Sequence, residues 1–90
     1  MSVESRLSLR QDLGLALLHL REEAGLSQDA LRLASGVAQS RITAYETGRA
    51  APNYVTLHAL AEALGVQASA IVSRAETNAA LARTRASRSR

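Results

Sequence analysis

Ninety residues make one small domain. Phe and Trp are missing, so Leu, Ile, Val and Ala have to fill the core, and such a domain is marginally stable unless its helices pack well or the chain oligomerises. The absence of Cys excludes a disulfide framework and any Cys-based metal or redox site, the scattered His19 and His58 make no metal site, and no run of eighteen apolar residues offers a membrane span. The net charge of +3 is carried by Arg alone and is uneven: residues 1–10 come to +1, residues 11–73 to −2 and residues 74–90 to +4, so a body that is no basic clamp ends in a basic tail.

The opening, MSVESRLSLR, lacks the apolar centre of a signal peptide, so a soluble cytoplasmic protein with an N-terminal arm over residues 1–8 is expected. Ser8 and Gln11 have capping-box spacing and start a first helix near Leu9, with Leu13, Leu17, Leu20 and Ala24 as its apolar stripe and Gly25 as its stop. Leu15 and Leu18 lie off that stripe, either as lone exposed leucines or as a packing surface.

Ser27 caps a second helix that carries Leu31 and Ala34. Ser35-Gly36-Val37 interrupts it, and a third helical pattern, starting at Ala38 or Gln39, runs through Ile42 and Tyr45. Two helices this short cannot each bury a face alone, so they must lock together as a helix-turn-helix. Its inner seam is Leu31, Val37, Ile42 and Tyr45, and Gly36 turns the chain with positive φ. Gln39, Ser40, Thr43 and Ala44 then face outward around Arg41.

Thr47-Gly48-Arg49 leaves the third helix. Asn53 caps a fourth, with Tyr54, Val55, Leu57, Leu60, Ala61 and Leu64 as its apolar set and Gly65 as its C-cap. Residues 69–72 open a fifth helix, which Ala75, Ala79, Leu81 and Ala82 allow to continue to Arg83. The predicted organisation is an arm over 1–8, a helix-turn-helix domain over 9–73, an extension of the fifth helix over 74–83 and a disordered Arg-rich tail over 84–90.

The stretches LREEAGLSQDAL, GVAQSRITAYETGRAAP and LAEALGV combine a Gly-Leu-Ser-Gln start, a Gly-Val turn, a spaced Ile and aromatic, a Glu-x-Gly exit and a later Pro. Over about residues 13–72 the chain resembles the lambda-repressor-like (XRE-type, Cro/C1-type) helix-turn-helix DNA-binding proteins. The resemblance implies an all-α, compact five-helix lambda-repressor-like DNA-binding domain, with helices 2 and 3 as the helix-turn-helix and helix 3 in the major groove. It also implies an ion pair between Arg21 and Glu46, a Gln28 that meets DNA near its backbone and buttresses base-reading side chains, and an Arg49 that grips phosphate.

On helix 3, Gln39 can offer a bidentate amide edge to adenine, Ser40 can meet a base or a phosphate, Arg41 a guanine or a phosphate, and the Thr43 methyl a thymine. Four positions depart from the family's habit: Leu18 where a basic residue is common, Arg32 in place of Ala, Ala38 in place of a capping Ser or Thr, and Ala44 in place of Arg or Lys. Arg32 fits only if its stem snorkels outward.

No catalytic constellation is present, so no enzyme, cofactor or metal is expected. The expected function is sequence-specific transcriptional regulation, as a repressor that binds a palindromic operator on double-stranded DNA as a homodimer. Such proteins are bacterial or phage-encoded and nucleoid-associated. An antitoxin with a toxin as protein partner is the alternative that Leu15, Leu18 and the tail suggest. A protein-interaction module of the same fold is the one that Leu18, Ala38, Ala44 and the acidic body suggest.

Overall fold

The structure, a computed structural model, describes residues 2–88. It holds α1 (Val3–Glu23), α2 (Gln28–Ser35), α3 (Gln39–Glu46), α4 (Tyr54–Leu64) and α5 (Ala68–Arg88). Most boundaries between α2 and α4 have a local cause. The side chains of Ser27 and Asn53 accept the backbone N–H of Ala30 and Thr56, capping α2 and α4. The Ser35 hydroxyl donates to the Leu31 carbonyl at 2.6 Å and accepts from the Val37 N–H at 3.1 Å, while Gly36 takes φ 75°, so the chain reverses within a few residues. Ala38 gives α3 no side-chain cap.

The core is made as the sequence pattern requires along the helix-turn-helix: Leu31, Val37, Ile42 and Tyr45 are buried. Leu17, Leu20 and Ala16 of α1 meet them from one side, and Leu57, Leu60, Ala61, Leu64 and Ile71 close the other. Ala24, expected in the stripe of α1, is exposed because that helix ends there, and Leu13 is half-buried. Tyr54 and Val55, expected in the apolar set of α4, are 73% and 75% exposed: they occupy its first turn, before the helix reaches the core, and Tyr54 stacks edge-on against His58.

Both ends of the chain depart from expectation. Residues 3–8 are helix rather than an arm, because the Ser2 side chain accepts the Ser5 N–H and caps α1 well before Ser8. Residues 84–88 continue α5 rather than forming a disordered tail; Ser89 and Arg90 lie outside the described residues. The two extensions support each other. Helices α1 and α5 run antiparallel, with Glu23 beside Arg74 at one end and Glu4, Ser5 and Ser8 across a groove from Ala82 and Ala86 at the other. The described residues measure 44 × 25 × 19 Å along their principal axes. No single helix among the described residues is long and apolar enough to cross a membrane.

Candidate nucleic-acid interface

The geometry of α3 begins with what lies behind it. At Gly14, α1 has no side chain, and the carbonyl oxygens of Tyr45 and Glu46 pack directly on its backbone; a Cβ there would collide with the Tyr45 oxygen. This close approach brings Arg21 of α1 to Glu46 at the end of α3. Arg21 Nε donates to Glu46 Oε2 at 2.7 Å and Nη2 to Oε1 at 3.1 Å, while Nη1 donates to the Leu26 carbonyl at 2.8 Å. Their side chains are only 13% and 5% exposed. The hydrogen bond to Glu46 raises the Arg21 pKa above its ordinary value against the opposing effect of burial, so Arg21 stays charged.

The network continues outward. Gln28, at the first position of α2, donates from Nε2 to Glu46 Oε1 at 3.0 Å and accepts at Oε1 from the Thr43 hydroxyl at 3.2 Å. Arg21, Glu46, Gln28 and Thr43 therefore form one chain of contacts from the scaffold to the open face of α3. Gln39, Ser40, Arg41 and Thr43 are all exposed there, while Ile42 and Tyr45 hold the helix from behind. Ala44 is half-buried.

The exit of α3 fixes Arg49. The Gly48 N–H donates to the Tyr45 carbonyl at 3.1 Å and the Arg49 N–H to the Ala44 carbonyl at 2.9 Å, the two bonds of a Schellman turn with Gly48 at its left-handed position. The exposed Arg49 side chain leaves from that rigid corner. Nothing in the sequence marks a further cation here: Arg10 Nη1 donates to the Arg49 carbonyl at 3.3 Å, and Arg6, one turn back, lines the same groove with Ala51. Arg6 belongs to the stretch expected to be an arm, and Arg10 lies just inside the start of the expected first helix.

Arg32, the departure on α2, swings to the surface, where Nε and Nη2 meet Asp29 Oδ1 at 3.0 and 2.7 Å. The helix 2–helix 3 crossing is left intact. Leu15 is exposed and Leu18 half-buried on the flank of α1. Among the described residues no group of acidic and His side chains is placed to hold a metal ion.

The family model described as a helix-turn-helix domain matches residues 12–72. The chain belongs to the helix-turn-helix domain family. This helix-turn-helix protein is similar to the clp gene regulator ClgR from Corynebacterium glutamicum, with 27% identity and a TM-score of 0.85 over 90% of this chain and 86% of that one. A second structure of ClgR gives 28% identity and a TM-score of 0.73 over 78% and 91%. The restriction-modification controller protein C.AhdI from Aeromonas hydrophila gives 31% identity and a TM-score of 0.67 over 69% and 94%. No curated protein matches. The resemblance to XRE-type regulators and the all-α five-helix fold both hold for this helix-turn-helix protein, and its fold is that of DNA-binding regulators.

Proposed function

We propose that this protein is a cytoplasmic, sequence-specific transcriptional repressor that binds a palindromic operator as a homodimer, with α3 in the major groove. The observation that carries the reading is the open face of α3. Gln39, Ser40, Arg41 and Thr43 stand exposed on a helix whose opposite side is locked into the core, which is what base contact requires. Gln28 and Arg49 flank that face at the two places where the duplex backbone would pass. Arg10 and Arg6 would extend the phosphate contact beyond Arg49.

One α3 reads only a few base pairs, too few to find a site in a genome, so two copies are needed. We take α5, which carries the exposed Val72 and Leu81, as the candidate contact, with the exposed Leu15 of α1 as a further apolar residue. The arginines of residues 83–90 add sequence-independent attraction to phosphate.

Selection of bound sites from a random DNA library tests the reading. The expected product is an inverted repeat whose half-site centres lie about 34 Å apart, one turn of duplex. Enrichment of single half-sites by a monomer would remove the two-fold part, and no enrichment at all would remove DNA reading.

A further inference from the structure

Each contact between Arg21 and Thr43 has only one chemical direction, and the directions add up to a statement about the outermost atom. Both oxygens of Glu46 accept from Arg21, and a carboxylate held by a guanidinium has no hydrogen to give. The Gln28 atom 3.0 Å from Glu46 Oε1 must therefore be the amide nitrogen. That choice turns the Gln28 carbonyl oxygen toward Thr43, 3.2 Å from its hydroxyl. A carbonyl oxygen only accepts, so the hydroxyl spends its one hydrogen inward. The lone pairs left on Thr43 Oγ1 remain on an exposed side chain, one turn beyond Gln39 on the same face of α3.

A free threonine hydroxyl could meet a donor or an acceptor; this one can only accept. In the major groove adenine N6 and cytosine N4 are donors, whereas guanine O6 and thymine O4 are acceptors. We infer that Thr43 is a specificity-determining residue that selects an amino base, adenine or cytosine, over a keto base, guanine or thymine, on one strand, and that Gln28 is the positioning residue that imposes this choice by holding the hydroxyl hydrogen. The inference rests on the DNA-reading function proposed above and adds the polarity of one contact to it.

The test uses the full chain and the site that library selection returns, varied through all four base pairs at each position. The wild type should prefer the amino base at one position by about tenfold, the order of one hydrogen bond made or left unmade. Thr43→Ser should keep that preference and Thr43→Val should lose it. Gln28→Ala should bring the amino and keto bases within about twofold of each other there, with the preference read by Gln39 unchanged. A Gln28 that merely stabilised the fold would weaken all four variants alike. An amino preference that survives Gln28→Ala, a Thr43→Val protein with unaltered base preference, or a wild type that prefers the keto base overturns the inference while DNA reading stands. A wild type that enriches no sequence overturns both. Thr43→Ser keeps the hydroxyl and Thr43→Val removes only the outermost, exposed contact while the Arg21–Glu46–Gln28 bonds stay in place, so they decide the matter even if Gln28→Ala fails to fold.

Discussion

Arg21 and Glu23 lie two residues apart on α1, and each makes a two-pronged arginine–glutamate pair. Their geometries are nearly the same: 2.7 and 3.1 Å for Arg21–Glu46, 2.7 and 3.0 Å for Arg74–Glu23. Their surroundings are not. The first pair is 13% and 5% exposed under α3, whereas the second is 34% and 57% exposed between α1 and α5. Distance alone would rank them equal. Solvent decides otherwise, because water competes for an exposed pair and can replace a lost partner, while a buried charge left alone has no substitute.

The sharpest way to break this contrast is Glu46→Ala. It leaves Arg21 buried without its partner and Gln28 without its acceptor, so stability should fall by about 3–5 kcal/mol and DNA binding with it. Thermal unfolding reads the loss; a melting temperature within error of the wild type would show that the buried pair is worth no more than the exposed one. Gly14→Ala approaches the same region from the backbone side. The added Cβ cannot share space with the Tyr45 carbonyl, so α3 must shift off α1, at about 1–3 kcal/mol. Far-ultraviolet circular dichroism should stay helical as the unfolding midpoint falls, and an unchanged midpoint would mean that α1 and α3 have room to spare.

On the outer face the effects move from stability to recognition. Gln39→Ala should cost about 1–3 kcal/mol of discrimination at one base pair, measured by titrating the selected site against its single-base variants. Arg49→Ala should weaken all sequences alike and lower the slope of log affinity against log salt by about one, since a phosphate contact positions without specifying. If Arg49→Ala changed the preferred sequence, the loop after α3 would have to touch bases.

The smallest effect belongs to the exposed pair. The hydrogen bond from Arg74 holds the Glu23 pKa below its ordinary value. A lowered native pKa means stability that is present above the unfolded-state pKa, about 4.3 for glutamate, and is lost as pH falls through the native value. Glu23→Gln should therefore melt slightly below the wild type at pH 7 and converge with it in acid. A gap that widened on acidification would contradict the sign.

The parts legible in the sequence are those with local causes. Ser27, Gly36, Asn53 and Gly65 act on chain within a few residues of themselves, and Leu31, Val37, Ile42 and Tyr45 repeat at spacings that declare one seam. The exposed face of α3 follows from that seam by elimination. The parts that were not legible depend on distant partners. Nothing near Val3 announces a helix except Ser2, and residues 84–86 look tail-like until α1 is laid beside them. Gly14 reads as a poor helix residue, and only the packed structure shows that its missing side chain sets the depth of α3. Tyr54 and Val55 continue an apolar pattern whose first turn the core does not reach.

The pairing of α1 with α5 joins the first and the last of the described helices. Contacts between α2, α3 and α4 close over short stretches, but this one must wait for a loop that spans most of the polypeptide, the slow kind of closure. On the ribosome the Leu13 face of α1 is synthesised early and meets Ala75 only when the final helix emerges. A chain synthesised only through α4 would hold the helix-turn-helix with the Leu13 face of α1 uncovered, and exposed apolar surface of that kind favours aggregation until α5 is added.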